Sequence, residues 1–140
     1  MRDRALNFLG LCVAGGLIAV ATAARAESPL DSEKGYRHAL YSVSYVLSLG
    51  IWYKKCTGDE NVPEYIERRD LAMLGIAGLS GDDKGLGEDL IRTAALKAKN
   101  DMDRMMSGPE PCSAVSKQLA LTFANKGLET IGGLLDQKGE

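Results

Sequence analysis

From Ala39 to Tyr53 the chain runs 15 residues without a charge, between Arg37-His38 on one side and Lys54-Lys55 on the other. Such a run is long for one strand and short for a membrane helix, which takes about 20 apolar residues. Tyr36, Leu40, Val43, Leu47 and Ile51 form a helical stripe, with Tyr41, Tyr45 and Trp52 beside it. Val43, Tyr45, Leu47, Leu49, Ile51 and Tyr53 also alternate with a mostly small set, which is a strand pattern. Length and the lack of a later pairing segment decide for a helix. Its apolar surface is too wide for one-sided packing, so the other elements must enclose it.

Those elements follow in order. Asn61-Val62-Pro63-Glu64 has the Pro and Glu of a helix start, and the pattern predicts a helix to about Leu79. Val62, Ile66, Met73 and Ala77 are its expected inner face, with Leu74 and Ile76 near it. Gly75 and Gly78 permit close approach to a neighbour. Ser80 to Gly87 reads as a loop. Glu88 to Met106 carries Leu90, Ala94, Ala98, Met102 and Met105 at helical spacing, with Glu88 and Asp89 where the helix dipole favours acids. Ser107-Gly108-Pro109-Glu110-Pro111 is a stop. Ser113 is the expected N-cap of a last helix with Val115, Leu119, Thr122 and Phe123 facing inward. Leu128, Ile131, Leu134 and Leu135 prolong the pattern, with Gly127 as a place to kink. The fold class expected is therefore all-α, a compact bundle of four main helices.

The N-terminus bears on where the bundle forms. Arg2 and Arg4, the uncharged stretch Phe8–Ala24 and Ala24-Arg25-Ala26 have the layout of a secretory signal peptide cleaved before Glu27. Residues 1–26 are thus expected to be removed, 27–35 to form a flexible leader, and 36–140 to fold as one domain. The remaining 114 residues carry 14 Lys+Arg and 18 Asp+Glu, a net charge of −4. The expected compartment is the periplasm of a Gram-negative bacterium. Cys12 leaves with the signal, so Cys56 and Cys112 remain, and in an exported chain two cysteines read as one disulfide. It closes a loop of about 57 residues, worth roughly 4 kcal/mol as an upper figure from chain entropy. In the helical reading it ties the end of the first helix to the start of the fourth.

Few chemistries remain. The charge balance lacks the basic surplus of a nucleic-acid binder. His38 is the only imidazole, and it borders the apolar run rather than a catalytic signature. The aromatic set beside it is expected to be core. Met102, Met105 and Met106 are candidate soft-metal ligands for Cu(I), set against methionine's commoner use as core filling. Asp82 and Asp83 sit in a Gly-rich loop whose spacing misses the calcium-loop pattern. Glu64, Glu67 and Arg68 lie in a charged patch on the second helix, with Glu64 and Arg68 spaced as an i,i+4 pair. Glu64, Glu67, Arg68, Asp82 and Asp83 are the candidate partner surface. In size and class alone the chain resembles small periplasmic acid-stress chaperones and the immunity proteins that block cell-wall amidases. No family motif carries residue roles across.

The functional expectation is an exported helical protein that is not an enzyme and acts on a protein partner, of inhibitor or immunity type or of stress-chaperone type. It needs no cofactor, no nucleic acid and no stable membrane anchor after cleavage, and it acts as monomer or homodimer. The alternative is a bundle that binds a small ligand or copper.

Overall fold

A computed structural model describes residues 28–79 and 85–138. The expected signal peptide, Asp82 and Asp83 lie outside the described residues. The described chain is all-helical, with α1 over Glu33–Thr57, α2 over Pro63–Gly78, α3 over Leu86–Met105 and α4 over Ala114–Lys138.

The uncharged run is the middle of α1, and the helix is longer than its apolar part. It begins at Glu33 because the Ser32 side chain accepts the Gly35 N–H at 2.9 Å, which satisfies one of the unpaired donors of the first turn. It ends where Gly58 takes a φ of 79° and its N–H reaches the Lys54 carbonyl, a left-handed cap that suits glycine. The first turn of α1 lies within the segment read from sequence as a leader. Residues 33–35 are helical, Leu30 is buried, and the Ser28 hydroxyl donates to the Leu79 carbonyl at the end of α2. Burying Leu30 offsets the entropy of fixing this segment.

α1 is the hub. α3 and α4 pack along it without close backbone approach to each other, while α2 contacts all three more lightly. Ala39, Val43, Val46, Leu49 and Trp52 of α1 are all buried. From α3, Leu90, Ala94, Ala98 and Met102 bury as their spacing predicts. Met106, just past the end of α3, is buried too, while Met105 is 39% exposed.

α4 differs from expectation. It runs unbroken through Gly127, and its inner face is Ala120, Ala124, Gly127, Ile131 and Leu134. Val115, Leu119 and Phe123, the expected inner residues, are 70%, 43% and 40% exposed. The cause is the closeness of α1. A Cβ at Gly127 would lie 2.5 Å from the Ser42 carbonyl oxygen, so only small residues fit the seam, and the larger ones are turned outward. Contacts at Ser42–Gly127, Tyr45–Phe123 and Trp52–Ser116 fix α4 antiparallel to α1. The seam ends in the Cys56–Cys112 disulfide, with Cα atoms 5.4 Å apart. Ser113 caps α4 as expected, accepting the Ser116 N–H at 3.1 Å.

α2 also turns a different face inward. Tyr65, Ala72 and Ile76 are buried, with Leu79 just beyond. Val62, Ile66, Met73 and Ala77 flank them half-buried, and Leu74 is 72% exposed. Tyr65 decides the rotation. Its hydroxyl donates to the Val46 carbonyl at 2.7 Å and accepts the Gly50 N–H at 3.1 Å, so α2 is clamped to the middle of α1. Gly50 is required there, since a Cβ would meet the Tyr65 hydroxyl at 2.9 Å. Burial pushes the Tyr65 phenol above its ordinary value, against a lowering influence from Arg69.

Candidate functional site

The clamp at Tyr65 holds one end of α2, and Gly75 holds the other. A Cβ at Gly75 would come within 2.5 Å of a Leu135 methyl on α4, so Leu135 occupies the space that glycine leaves. Between these anchors α2 and α4 diverge. A cavity of about 520 Å³ opens there, lined by Leu71 and Ala72 of α2 and by Leu128, Ile131 and Gly132 of α4. A Cβ at Gly132 would meet nothing within 4 Å. A smaller cavity of about 100 Å³ extends toward the start of α2, past Glu64 and Tyr65. The two share Arg68, Asn125 and Leu128, so they form one groove.

The rim is polar and mostly acidic. The Arg68 guanidinium donates to Asn125 Oδ1 at 3.3 Å across the groove. The expected ion pair of Arg68 with Glu64 does not form, because Arg68 reaches toward α4 instead. Glu64 and Glu129 line the groove wall. Glu67 is exposed on the same helix, and so is Asp70, which pairs with Arg69 at 3.0 Å. Leu71 and Leu74 stand at 63% and 72% exposure on α2. Leu71 lines the cavity, while Leu74, one turn on, stands outside its lining; an exposed leucine on the wall of an apolar recess marks a candidate interaction surface.

Of the candidate partner residues, the structure brings Glu64 and Arg68 into one groove and leaves Glu67 beside it. The groove's apolar members were not predicted as site residues. No local pattern singles them out, because Leu71 and Ala72 of α2 meet Leu128, Ile131 and Gly132 of α4 only in the folded chain.

The other candidates are dispersed. Met102 and Met106 are spent on the core cluster, while Met105 stands partly exposed. Among the described residues no group of three His, Cys, Asp or Glu could hold a metal ion. His38 is exposed and lines a surface cavity with Lys126, Glu129 and Gln137. The aromatic set is not uniformly core. Trp52 is buried and its indole N–H donates to Ser116 Oγ at 3.0 Å, but Tyr41 is 42% exposed. Asp101 on α3 is held below the ordinary carboxylate value, first by its hydrogen bond from Lys97, which outweighs the upward push of burial, and further by the charge of Lys97 and by the hydrogen bond and charge of Arg104. No helix among the described residues is long and apolar enough to cross a membrane. A comparison with known proteins finds no matching family model, no similar curated protein and no similar solved structure.

Proposed function

We propose that this is an exported, non-enzymatic protein that binds a protein partner through the groove between α2 and α4. The observation that carries the reading is Leu71, 63% exposed on the wall of an apolar cavity of about 520 Å³ with a polar rim. That is the layout of a hydrophobic recess with an orienting border, which suits an apolar side chain or short helix of a partner. The border of Glu64, Glu67 and Glu129 favours a partner segment carrying Lys or Arg at its edges. The disulfide and the small-residue seam support a rigid binder of inhibitor type over a chaperone that must loosen to act. Export follows from the layout of residues 1–26 and agrees with the cysteine pair.

Site-specific photo-crosslinking in the native periplasm tests the reading. A photoreactive residue at position 71 is expected to trap one protein. The same residue at position 96, where Leu96 is 66% exposed on α3, is expected to trap none. No adduct from position 71, or the same adducts from both positions, refutes the groove as the binding surface.

A further inference from the structure

A second surface lies on the side of α1 away from α2. The backbones of α3 and α4 do not approach closely, and between them a strip of α1 presents Tyr41, 42% exposed, and the half-buried Tyr45. Its centre is aromatic. The Tyr41 ring lies 6.5 Å from Tyr45, and the Tyr45 ring lies 5.1 Å from Phe123 of α4. Leu119, one turn back on α4, is 43% exposed. These are the side chains that the close α1–α4 seam turns outward.

Cations border the strip on both sides. Lys97 Nζ of α3 sits 4.7 Å above the Tyr41 ring, and Lys117 Nζ of α4 lies 5.8 Å from the Trp52 ring. Lys126 of α4 faces His38 across the cavity at the start of α1. Arg37 and Arg104 extend the set, each paired with an acid, Glu33 and Asp101 respectively. Asp101 also takes Lys97, and Glu129 lies near Lys126. The cations Arg37, Lys97, Arg104, Lys117 and Lys126 outnumber these acids. The groove between α2 and α4 has the opposite balance, with Glu64, Glu67 and Asp70 around Arg68 and the Asp70-paired Arg69, and Glu129 stands between the two surfaces. The two surfaces therefore differ in sign although the chain's total charge is close to zero.

We infer that this strip docks an acidic polypeptide segment bearing apolar side chains. Its apolar residues seat against Tyr41, Tyr45, Leu119 and Phe123, and its carboxylates face Lys97, Lys117 and Lys126. Charge complementarity selects the sign of the partner. Aromatic rings with a cation already over one face provide contact area at small entropic cost. Relief selects a polypeptide over a lipid surface. Trp52 is 5% exposed and Tyr45 is half-buried, so part of the aromatic row lies below its neighbours rather than projecting as a membrane-binding face does.

The test uses the oxidised chain and two labelled synthetic peptides, one alternating Glu with Leu and Phe, the other with Lys in place of Glu. Fluorescence anisotropy is expected to show binding of the acidic peptide alone, weakening as salt rises. The double variant Lys97→Glu/Lys126→Glu is expected to lower that affinity by about tenfold or more, and Phe123→Ala by several-fold. Leu71→Ala, on the wall of the groove, is expected to leave it unchanged, which separates this surface from the groove. All these positions are at the surface, and circular dichroism confirms that each variant is folded. The inference is overturned if the acidic peptide does not bind, if the lysine peptide binds equally, or if charge reversal leaves binding unaltered. Sedimentation of the protein with phosphatidylglycerol vesicles while the acidic peptide stays unbound overturns it too, in favour of a membrane surface.

Discussion

The two sides of α4 meet their neighbours in opposite ways. Toward α1 it offers Ala120, Ala124 and Gly127, and the backbones close until a single added carbon would reach the Ser42 carbonyl. Toward α2 it offers Leu128, Gly132 and Leu135, and the helices stand apart over a cavity. Small residues let a helix pair close, while the intermittent large residues on the other side prop a pair open. One helix thereby contributes both a rigid seam and a recess. The seam is stapled at its end by Cys56–Cys112, and the recess is bordered by a helix that Tyr65, Gly75 and Leu79 hold at a few points.

Removing the staple is the strongest way to break this contrast. Cys56→Ser is expected to lower stability by about 4 kcal/mol as an upper figure, read by urea unfolding, and to leave Cys112 open to thiol reagents. If the seam alone fixes α1 against α4, the loss stays well below that. Gly127→Ala and Gly132→Ala come next, because they make the same chemical change on the two sides of α4. The first is expected to cost roughly 1–3 kcal/mol by overpacking, less a helix-propensity gain of up to about 1. The second meets open space and is expected to stabilise by about 0.5–1 kcal/mol. Equal effects by thermal or denaturant unfolding would erase the distinction between seam and recess.

Tyr65→Phe is expected to cost about 1 kcal/mol at neutral pH, through its bonds to Val46 and Gly50. It also carries a pH signature. A phenol raised in the folded state contributes stability in full below its unfolded value of about 10, and this is lost as pH rises through the folded value. Unfolding curves between pH 8 and 11, a window chosen around that value of about 10, should therefore fall more steeply for the parent chain than for Tyr65→Phe. The smallest expected effect is at the exposed leucines. Leu71→Ala and Leu74→Ala are expected to change stability by less than about 0.5 kcal/mol each. A larger loss would make them structural and weaken the case for a partner.

Much of this architecture was legible in the residues. Four helices and their stops follow from the uncharged run, Pro63, the Leu90-to-Met102 stripe and Ser107–Pro111, because periodicity and backbone breakers act locally. The cysteine pairing was legible because two cysteines remain in a chain expected to be exported, and their places at the end of α1 and just before α4 agree with it. The inner face of α4 was not legible. Pattern reading weights Val115, Leu119 and Phe123 by size, whereas packing weighted Ala120, Ala124 and Gly127 by how near α1 comes. The rotation of α2 was missed for a related reason, since the Tyr65 hydroxyl is anchored 19 residues back at Val46. The groove arises from two helices separated in sequence, so no local signal marks it. Glu64 and Arg68 were found as charges, while the apolar recess that gives them a use was not.

Native-state hydrogen exchange tests the central claim most directly, namely that α1 and α4 form the rigid seam and α2 the lightly held wall of a binding recess. The account predicts that amides of Val43 to Leu49 and of Ala120 to Leu128 exchange only through global unfolding. Amides of Leu71 to Ile76 should open at a lower free energy while the seam stays closed. Protection in α2 equal to that in α4, or a seam that opens before α2, would contradict it.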